Sequence, residues 1–259
     1  MKVRVFGSGS QGNALAVRSG CGTLLLVDCG FSCKELERRM AACGVDPDAA
    51  AGLFFTHDHI DHCKGAATFH RRHPHVPLYA NGNTADAISV LTGVDDGWSV
   101  FETAETFPVG DFSVTSFSIP HDAADPVGYL IENDGHALFV GTDTGVPTIG
   151  VRDALWRSDC AVLESNHDPV LLETSNRPVS LKQRIAGRSG HLANEDAAEL
   201  VRSVNPPHLK TILLAHLSEE CNTPSLARAA LCAALADCGR QGIRIDVLAQ
   251  NEPGDLVVF

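Results

Sequence analysis

The sequence predicts an α/β fold, a four-layer αβ/βα sandwich in which two similar halves pack sheet against sheet with their helices outside. Two observations predict it. Strand-like segments give way to mixed helix and strand twice along the chain, and no linker, low-complexity segment or exact repeat divides the two runs. The 259 residues are also enough to bury a substantial core, and they read as a single domain, residues 1–259.

The elements follow in order. Lys2 to Phe6, Asn13 to Arg18 and Gly22 to Val27 read as a meander of short strands between glycine turns. Gly7, Gly9 and Gly12 spell the G-x-G-x-x-G of a dinucleotide loop, but such a loop must open a crossover helix, and the residues after Gly12 alternate as a strand. Gly7 to Asn13 is therefore expected to be a hairpin loop. Ser32-Cys33-Lys34-Glu35 is a capping box, and Leu36 and Met40, one turn apart, carry its helix to Gly44. Gly52 to Phe55 is a short buried strand entering a polar loop, and Gly65 to His73 is a helix. Strands are expected at Phe112 to Ile119, Val127 to Glu132 and Ala137 to Val140, the last two joined by an Asp134-Gly135 turn. Beyond Gly150 come a helix at Arg152 to Arg157, a strand at Cys160 to Leu163, helices at Leu181 to Ile185 and Glu195 to Ser203, and a strand at Thr211 to Ala215. Thr223-Pro224, an N-cap with proline at the first helical position, opens a helix to Ala236. Strands at Arg244 to Leu248 and Asp255 to Val258 close the series.

Composition narrows the function. The longest purely aliphatic run near the N-terminus, Leu24 to Val27, is far too short to span a bilayer, so no membrane association is expected. With strand-like sequence from Lys2, no signal peptide is expected. The nine cysteines are odd in number and offer no C-x-x-C pair, which suits a cytoplasmic protein whose cysteines are mostly small buried apolar residues. A formal net charge of -12 argues against general nucleic-acid affinity. Two windows run against that average. His62 to Ala85 holds Lys64, Arg71 and Arg72 without an acid, and Thr174 to Asn194 holds Arg177, Lys182, Arg184 and Arg188 without one. No obligate protein partner is evident.

The densest chemistry lies in F-T-H-D-H-I-D-H, Phe55 to His62, which places His57, His59, Asp61 and His62 just after a buried strand. Imidazole and carboxylate suit Zn, Fe and Mn, and these four donors exceed what one catalytic metal needs. A second metal requires donors from elsewhere, preferably also at strand ends. His121, Asp143 and His216 each follow a predicted strand and meet that requirement.

T-H-x-H-x-D-H followed by isolated His, Asp and His resembles the signature of the metallo-β-lactamase fold, over essentially the whole chain. G-S-G-S-x-G-N, P-H-D-A-x-D-P-V-G-Y (Pro120 to Tyr129), E-S-N-H-D (Glu164 to Asp168), G-H-L-A-N (Gly190 to Asn194) and A-H-L-S resemble the YycJ/WalJ-like branch. Members of that branch have been linked to nuclease activity, including 5′ to 3′ exonuclease action on DNA. The resemblance implies a metal site at the sheet edge holding two divalent ions (Zn, Mn or Fe). His57, His59 and His121 would bind one, Asp61, His62 and His216 the other, and Asp143 would bridge them. Asp28, in L-L-V-D-C-G, matches an aspartate that orients the metal loop.

Asp61, His191 and Glu164 are the candidate catalytic residues. His191 resembles the histidine that related tRNA-processing nucleases place beside the scissile phosphate, and Glu164 the glutamate that pairs with it. A metal-bridging hydroxide can attack phosphorus while an imidazolium held by a carboxylate stabilises the developing charge or protonates the leaving oxygen. His167 is a candidate orienting residue or substrate contact. Ser8, Ser10 and Asn13 are expected to line the substrate path, and Arg184 and Arg188 to meet phosphate at the rim of the cleft. Both basic windows are expected to reach that rim, and the histidines at 70, 73, 75, 136 and 208 to lie on the surface.

Two departures from the family pattern matter. Cys221 stands where another Asn is expected in H-L-S-E-E-C-N-T-P, and only 21 residues separate His121 from Asp143, too few for a tRNA-gripping arm. The expected function is phosphodiester hydrolysis with nucleic acid as substrate. The alternative is hydrolysis of a small ester, thioester, lactone or cyclic phosphodiester at the same site; a metal-binding protein without turnover is the remaining class.

Overall fold

A computed structural model describes residues 1–259. The first half contains β1 (Lys2–Gly7), β2 (Ala14–Arg18), β3 (Leu24–Val27), α1 (Cys33–Ala42) and β4 (Ala50–Phe54). It continues with α2 (Ile60–Cys63), α3 (Ala66–Arg72), β5 (Leu78–Asn81), α4 (Gly82–Thr92) and β6 (Trp98–Phe101). The second half begins with β7 (Thr106–Val109), β8 (Phe112–Ser118), β9 (Val127–Asn133), β10 (His136–Gly141), α5 (Ile149–Arg157) and β11 (Cys160–Glu164). Then come α6 (Pro169–Thr174), α7 (Val179–Ile185), α8 (Asn194–Val204), β12 (Thr211–Ala215), α9 (Pro224–Asp237), β13 (Arg244–Val247) and β14 (Val257–Val258).

The six strands of the first half form one seven-stranded sheet with β14, which returns from the end of the chain to pair with β1, in the order β14-β1-β2-β3-β4-β5-β6. The other seven strands of the second half form the second, ordered β13-β12-β11-β10-β9-β8-β7. Both sheets begin as antiparallel meanders and turn parallel at β3 and β10, where helical crossovers take over from hairpins. The side-chain period of two sorts the residues into layers. Val3, Val5, Leu15, Val17, Leu25 and Val27 point between the sheets, where they meet Val114, Tyr129, Leu138, Val140, Val162 and Leu213. Their neighbours Phe6, Ala16, Leu24 and Leu26 face outward onto Leu36 and Met40 of α1 and Phe69 of α3. On the other sheet Phe139, Leu163, Ile212 and Leu214 pack against Val151, Leu155, Leu200 and Leu231. Strands such as β3 and β12 are buried on both faces, which is why they read as unbroken apolar runs. Leu25→Ala or Leu213→Ala would cost roughly 2–5 kcal/mol through the cavity left behind.

The four-layer αβ/βα prediction holds, and so does the hairpin reading of Gly7 to Asn13, because β1 and β2 pair antiparallel across it. The structure adds β5, α4, β6 and β7 between residues 78 and 109, where the sequence suggests no element. These strands are only four residues long; β5 and β6 pair in parallel across crossover connections, and β7 pairs antiparallel with β8, so the alternating signal in each is too short to read locally. The capping box closes only by half. Ser32 Oγ accepts from Glu35 N at 3.3 Å, but the Glu35 carboxylate turns to Arg38 and Arg39. His73 corrects the expectation that it lies on the surface: it is 5% exposed, held between Asp48 and Glu37 at the end of α3.

Candidate metal centre and active site

The site residues stand at the C-terminal ends of strands. Asp28 follows β3, His57 follows β4, His121 follows β8, Asp143 follows β10, Glu164 ends β11 and His216 follows β12. Three of them, Asp28, Asp143 and His216, have left-handed backbone with φ of 62°, 59° and 56°. That region is costly for residues other than glycine and persists where the surroundings impose it. The loops crowd closely enough to demand glycine at Gly30, where a Cβ would sit 1.6 Å from the Asp61 carbonyl oxygen.

Donor atoms gather in overlapping groups. His57, His59 and His121 form one, and Asp61, His62 and His216 another, each with donor atoms within 4.8 Å of one another. Asp143 groups with His57 and His62 on one side and with Glu164, His191 and His216 on the other. All seven sequence-predicted donors are thus brought together. His57 Nε2 and Asp143 Oδ2 are buried without a hydrogen-bond partner, although Asp143 Oδ2 lies 3.2 Å from His62 Nε2. Buried polar atoms left unpaired are costly, and here they point to a cation as the missing partner. The donor set fits Zn, Mn or Fe alike.

A surrounding shell orients these donors. Asp28 accepts from Thr56 N at 2.9 Å through Oδ1, and its Oδ2 lies 2.8 Å from His62 Nδ1, leaving Nε2 turned toward Asp61 and Asp143. His121 Nδ1 lies 3.0 Å from the Gly190 carbonyl, and its Nε2 is 3.2 Å from His59 Nδ1. Such second partners fix the tautomer and ring direction of a metal-binding histidine. Ser8 and Asn13, expected along the substrate path, are buried braces: His216 N donates to Ser8 Oγ at 2.9 Å, and Asn13 Nδ2 lies 2.9 Å from His62 Nε2. Ser10 alone of the three is exposed.

Glu164 is fully buried and fully used. Its Oε2 accepts from Thr144 N at 2.8 Å and Leu192 N at 3.1 Å, while Oε1 lies 2.9 Å from His191 Nδ1 and 3.0 Å from His216 Nδ1. Burial would raise the Glu164 pKa, but His191 and His216 outweigh it and hold the carboxyl at about 2. Burial would lower His191, yet Glu164 and Asp143 hold its imidazole above the usual value. His57 is held well below its usual value, first by burial and then by His62, so its ring is neutral and able to donate a lone pair.

All seven donors lie within residues 23–216, the stretch that matches the family described as beta-lactamase superfamily domain. The chain belongs to this superfamily. It is 36% identical over 237 residues to exodeoxyribonuclease YycJ of Bacillus anthracis, covering 91% of this chain and 89% of that one. It is 32% identical over 249 residues to exodeoxyribonuclease WalJ of Streptococcus pneumoniae serotype 2, covering 95% and 91%. The metallo-β-lactamase-fold protein YhfI from Bacillus subtilis superimposes with a TM-score of 0.74 over 99% of this chain and 98% of that one, at 16% identity, a likeness of fold. The superfamily member described here is therefore YycJ/WalJ-like and a metal-dependent hydrolase that uses divalent metal.

Around the centre of this metallo-β-lactamase-fold hydrolase, a cavity of about 150 Å³ is lined by Ser10, Arg177, Arg184, His191 and His216 among others. Arg184 Nε donates to Asp122 Oδ2, and Arg177 pairs with Glu220, while Arg188 is exposed and pairs with no acid. The second basic window therefore reaches the cleft. Of the first window, Arg72 turns instead to Glu37 on α1. His167 is buried and bridges to Ala193, two residues after His191, where its carbonyl accepts from Asn194 N at 2.9 Å.

Sequence reasoning missed the braces Asn166, Asn194 and Asn222. Asn166 Nδ2 donates to the His216 carbonyl at 2.8 Å, and Asn222 joins Asn194 to the Ser165 and Asn166 carbonyls. Their position inside or beside E-S-N-H-D, G-H-L-A-N and C-N-T-P was the available signal. Cys221 leaves this bonding intact. It is buried beside Leu172 and Ile185, and Asn222 makes the hydrogen bonds.

Proposed function

We propose that this hydrolase is an exonuclease that cleaves phosphodiester bonds in DNA at a centre of two divalent metal ions. His57, His59 and His121 would hold one ion, Asp61, His62 and His216 the other, with Asp143 shared between them. Bound there, the ions supply positive charge to the phosphoryl oxygens and acidify a water for attack on phosphorus.

The observation that carries the reading is the Glu164–His191 pair. Glu164 holds His191 through Nδ1 at 2.9 Å and favours its protonated form, while Nε2 of the ring has no hydrogen-bond partner and the residue lines the cavity. A protonated His191 so held donates to the leaving oxygen as the phosphorus–oxygen bond breaks, the general-acid role that a phosphodiester needs. Asp61 combines the roles of ligand and catalytic carboxylate. Arg184 and Arg188 meet the phosphate backbone at the rim, and the names of the two relatives support DNA as the polymer.

The test follows product lengths over time from end-labelled single- and double-stranded DNA and RNA, with protein reconstituted separately with Mn and Zn, beside His191→Ala. Stepwise mononucleotide release that disappears in the variant is the expected result. Turnover of a small ester or cyclic phosphodiester with no cleavage of any polynucleotide would replace this reading with the small-substrate hydrolase.

A further inference from the structure

Away from the catalytic cleft, one other set of side chains gathers donors of metal-binding type. Cys33 opens α1, Glu37 lies one turn further along it, and His73 caps α3, which packs against α1. One donor atom from each lies within 4.8 Å of the other two. Glu37 Oε1 is 3.4 Å from Cys33 Sγ and 3.0 Å from His73 Nε2. A tetrahedral zinc site with bonds of about 2.0–2.3 Å spaces its ligand atoms roughly 3.3–3.8 Å apart, so these donors need little movement to close on an ion. Cys33 and His73 are 3% and 5% exposed, held in place by the α1–α3 packing.

The histidine is also oriented as a ligand would be. Asp48 Oδ1 lies 2.6 Å from His73 Nδ1, and a carboxylate on that nitrogen leaves the lone pair on Nε2, the atom that faces Glu37. We propose that Cys33, Glu37 and His73 form a second metal site, separate from the catalytic centre, for a thiophilic divalent cation such as zinc. Thiolate, imidazole and carboxylate together favour such an ion over magnesium or calcium. On binding, the Cys33 thiol proton leaves to solvent as the sulfur–metal bond forms. Arg72 Nε, 2.6 Å from Glu37 Oε1, competes for the carboxylate, but its side chain is 59% exposed and can swing away, opening a fourth position to water. The ion ties α1 to α3, and α3 continues from α2, which carries Asp61 and His62. The site thus staples the helices that back the catalytic loop.

The competing account of the same geometry is an imidazolium bridging Asp48 and Glu37, and cobalt decides between them. Every donor of the catalytic centre is nitrogen or oxygen, so a near-ultraviolet thiolate-to-cobalt charge-transfer band reports a cysteine ligand. The metal-free protein is loaded with Co(II), and its spectrum and cobalt content are compared with those of Cys33→Ser, His73→Asn, Asp48→Asn and Arg72→Ala. The wild type is expected to show the band and to hold one more cobalt per chain than Cys33→Ser or His73→Asn, both of which lose the band. Asp48→Asn weakens this cobalt about 10–100-fold, and Arg72→Ala tightens it. Equal cobalt content in wild type and Cys33→Ser, or a band that survives in Cys33→Ser, overturns the proposal. Should Cys33→Ser fail to fold by circular dichroism, His73→Asn and Glu37→Gln decide on the same readouts.

Discussion

Glu164 Oε1 lies 2.9 Å from His191 Nδ1 and 3.0 Å from His216 Nδ1, so one carboxylate oxygen holds both a candidate proton donor and a candidate metal ligand. The two variants that break this relationship should therefore fail differently. His191→Ala is expected to retain its metal and lose roughly 10²–10⁴-fold in kcat. Glu164→Gln is expected to lose turnover and to bind metal about 10–100-fold more weakly, because His216 loses its orienting partner. Single-turnover rates measured beside metal content separate the cases, and equal metal loss in both variants would refute the division of labour.

Asp28 should act on the metal without touching substrate. Its Oδ2, 2.8 Å from His62 Nδ1, fixes the ring that turns Nε2 toward Asp61 and Asp143. Asp28→Asn is expected to release metal to a chelator about 10–100-fold more readily, with normal turnover once metal is supplied in excess. A lowered kcat at saturating metal would assign Asp28 a direct part in the chemistry.

Metal removal should cost stability as well as activity. His57 Nε2 and Asp143 Oδ2 are buried without hydrogen-bond partners, and a bound cation would satisfy them. At a metal concentration 100 times Kd the folded state gains about 2.7 kcal/mol, seen as a rise of several degrees in Tm over chelated protein. An unchanged Tm would show that the site does not couple metal to folding.

The rim arginines should act through salt. Removing one phosphate contact with Arg184→Ala or Arg188→Ala is expected to weaken DNA binding and to lower the slope of log affinity against log salt by about 1. A small phosphodiester should be turned over as before. Loss on both substrates would place these residues in the chemistry instead.

A pH effect is expected at α1. Glu35 is held at about 2 by Arg38 and then Arg39, and Arg39 is the buried residue that donates to the Phe6 and Gln250 carbonyls. A depressed carboxyl contributes stability that is present above its unfolded pKa and is lost as pH falls through its folded pKa. Glu35→Gln should therefore destabilise at neutral pH and match the wild type near pH 2. The side chain is 33% exposed, so solvent screening limits the effect to roughly 0.3–1 kcal/mol. Chemical denaturation at several pH values reads it.

The donor set was legible in the sequence because its signals are local. A strand of apolar residues running into a cluster of histidines and aspartates declares both the strand end and the ligands, as Leu53 to His62 does. The isolated donors His121, Asp143 and His216 carried the same strand-end signature, and the structure brings all of them to one place. The strands between residues 78 and 109 were not legible, since each is only four residues long, and β5 and β6 pair in parallel across crossovers instead of through a tight turn.

By itself, then, the sequence determined the layered α/β architecture and the strand-end donors, while the pairing of Glu164 with His191 was what its family resemblance implied. Only the tertiary structure decided that Glu164 also holds His216, because that contact requires β11 and β12 to pair in the register that sets Glu164 beside Ala215. It likewise made Ser8 and Asn13 buried braces, drew Arg72 onto α1 and placed His73 between Asp48 and Glu37. Each of these is a contact between segments distant in sequence. Short-range pattern names the chemical group, but the packing of helices and the register of strands choose its partner.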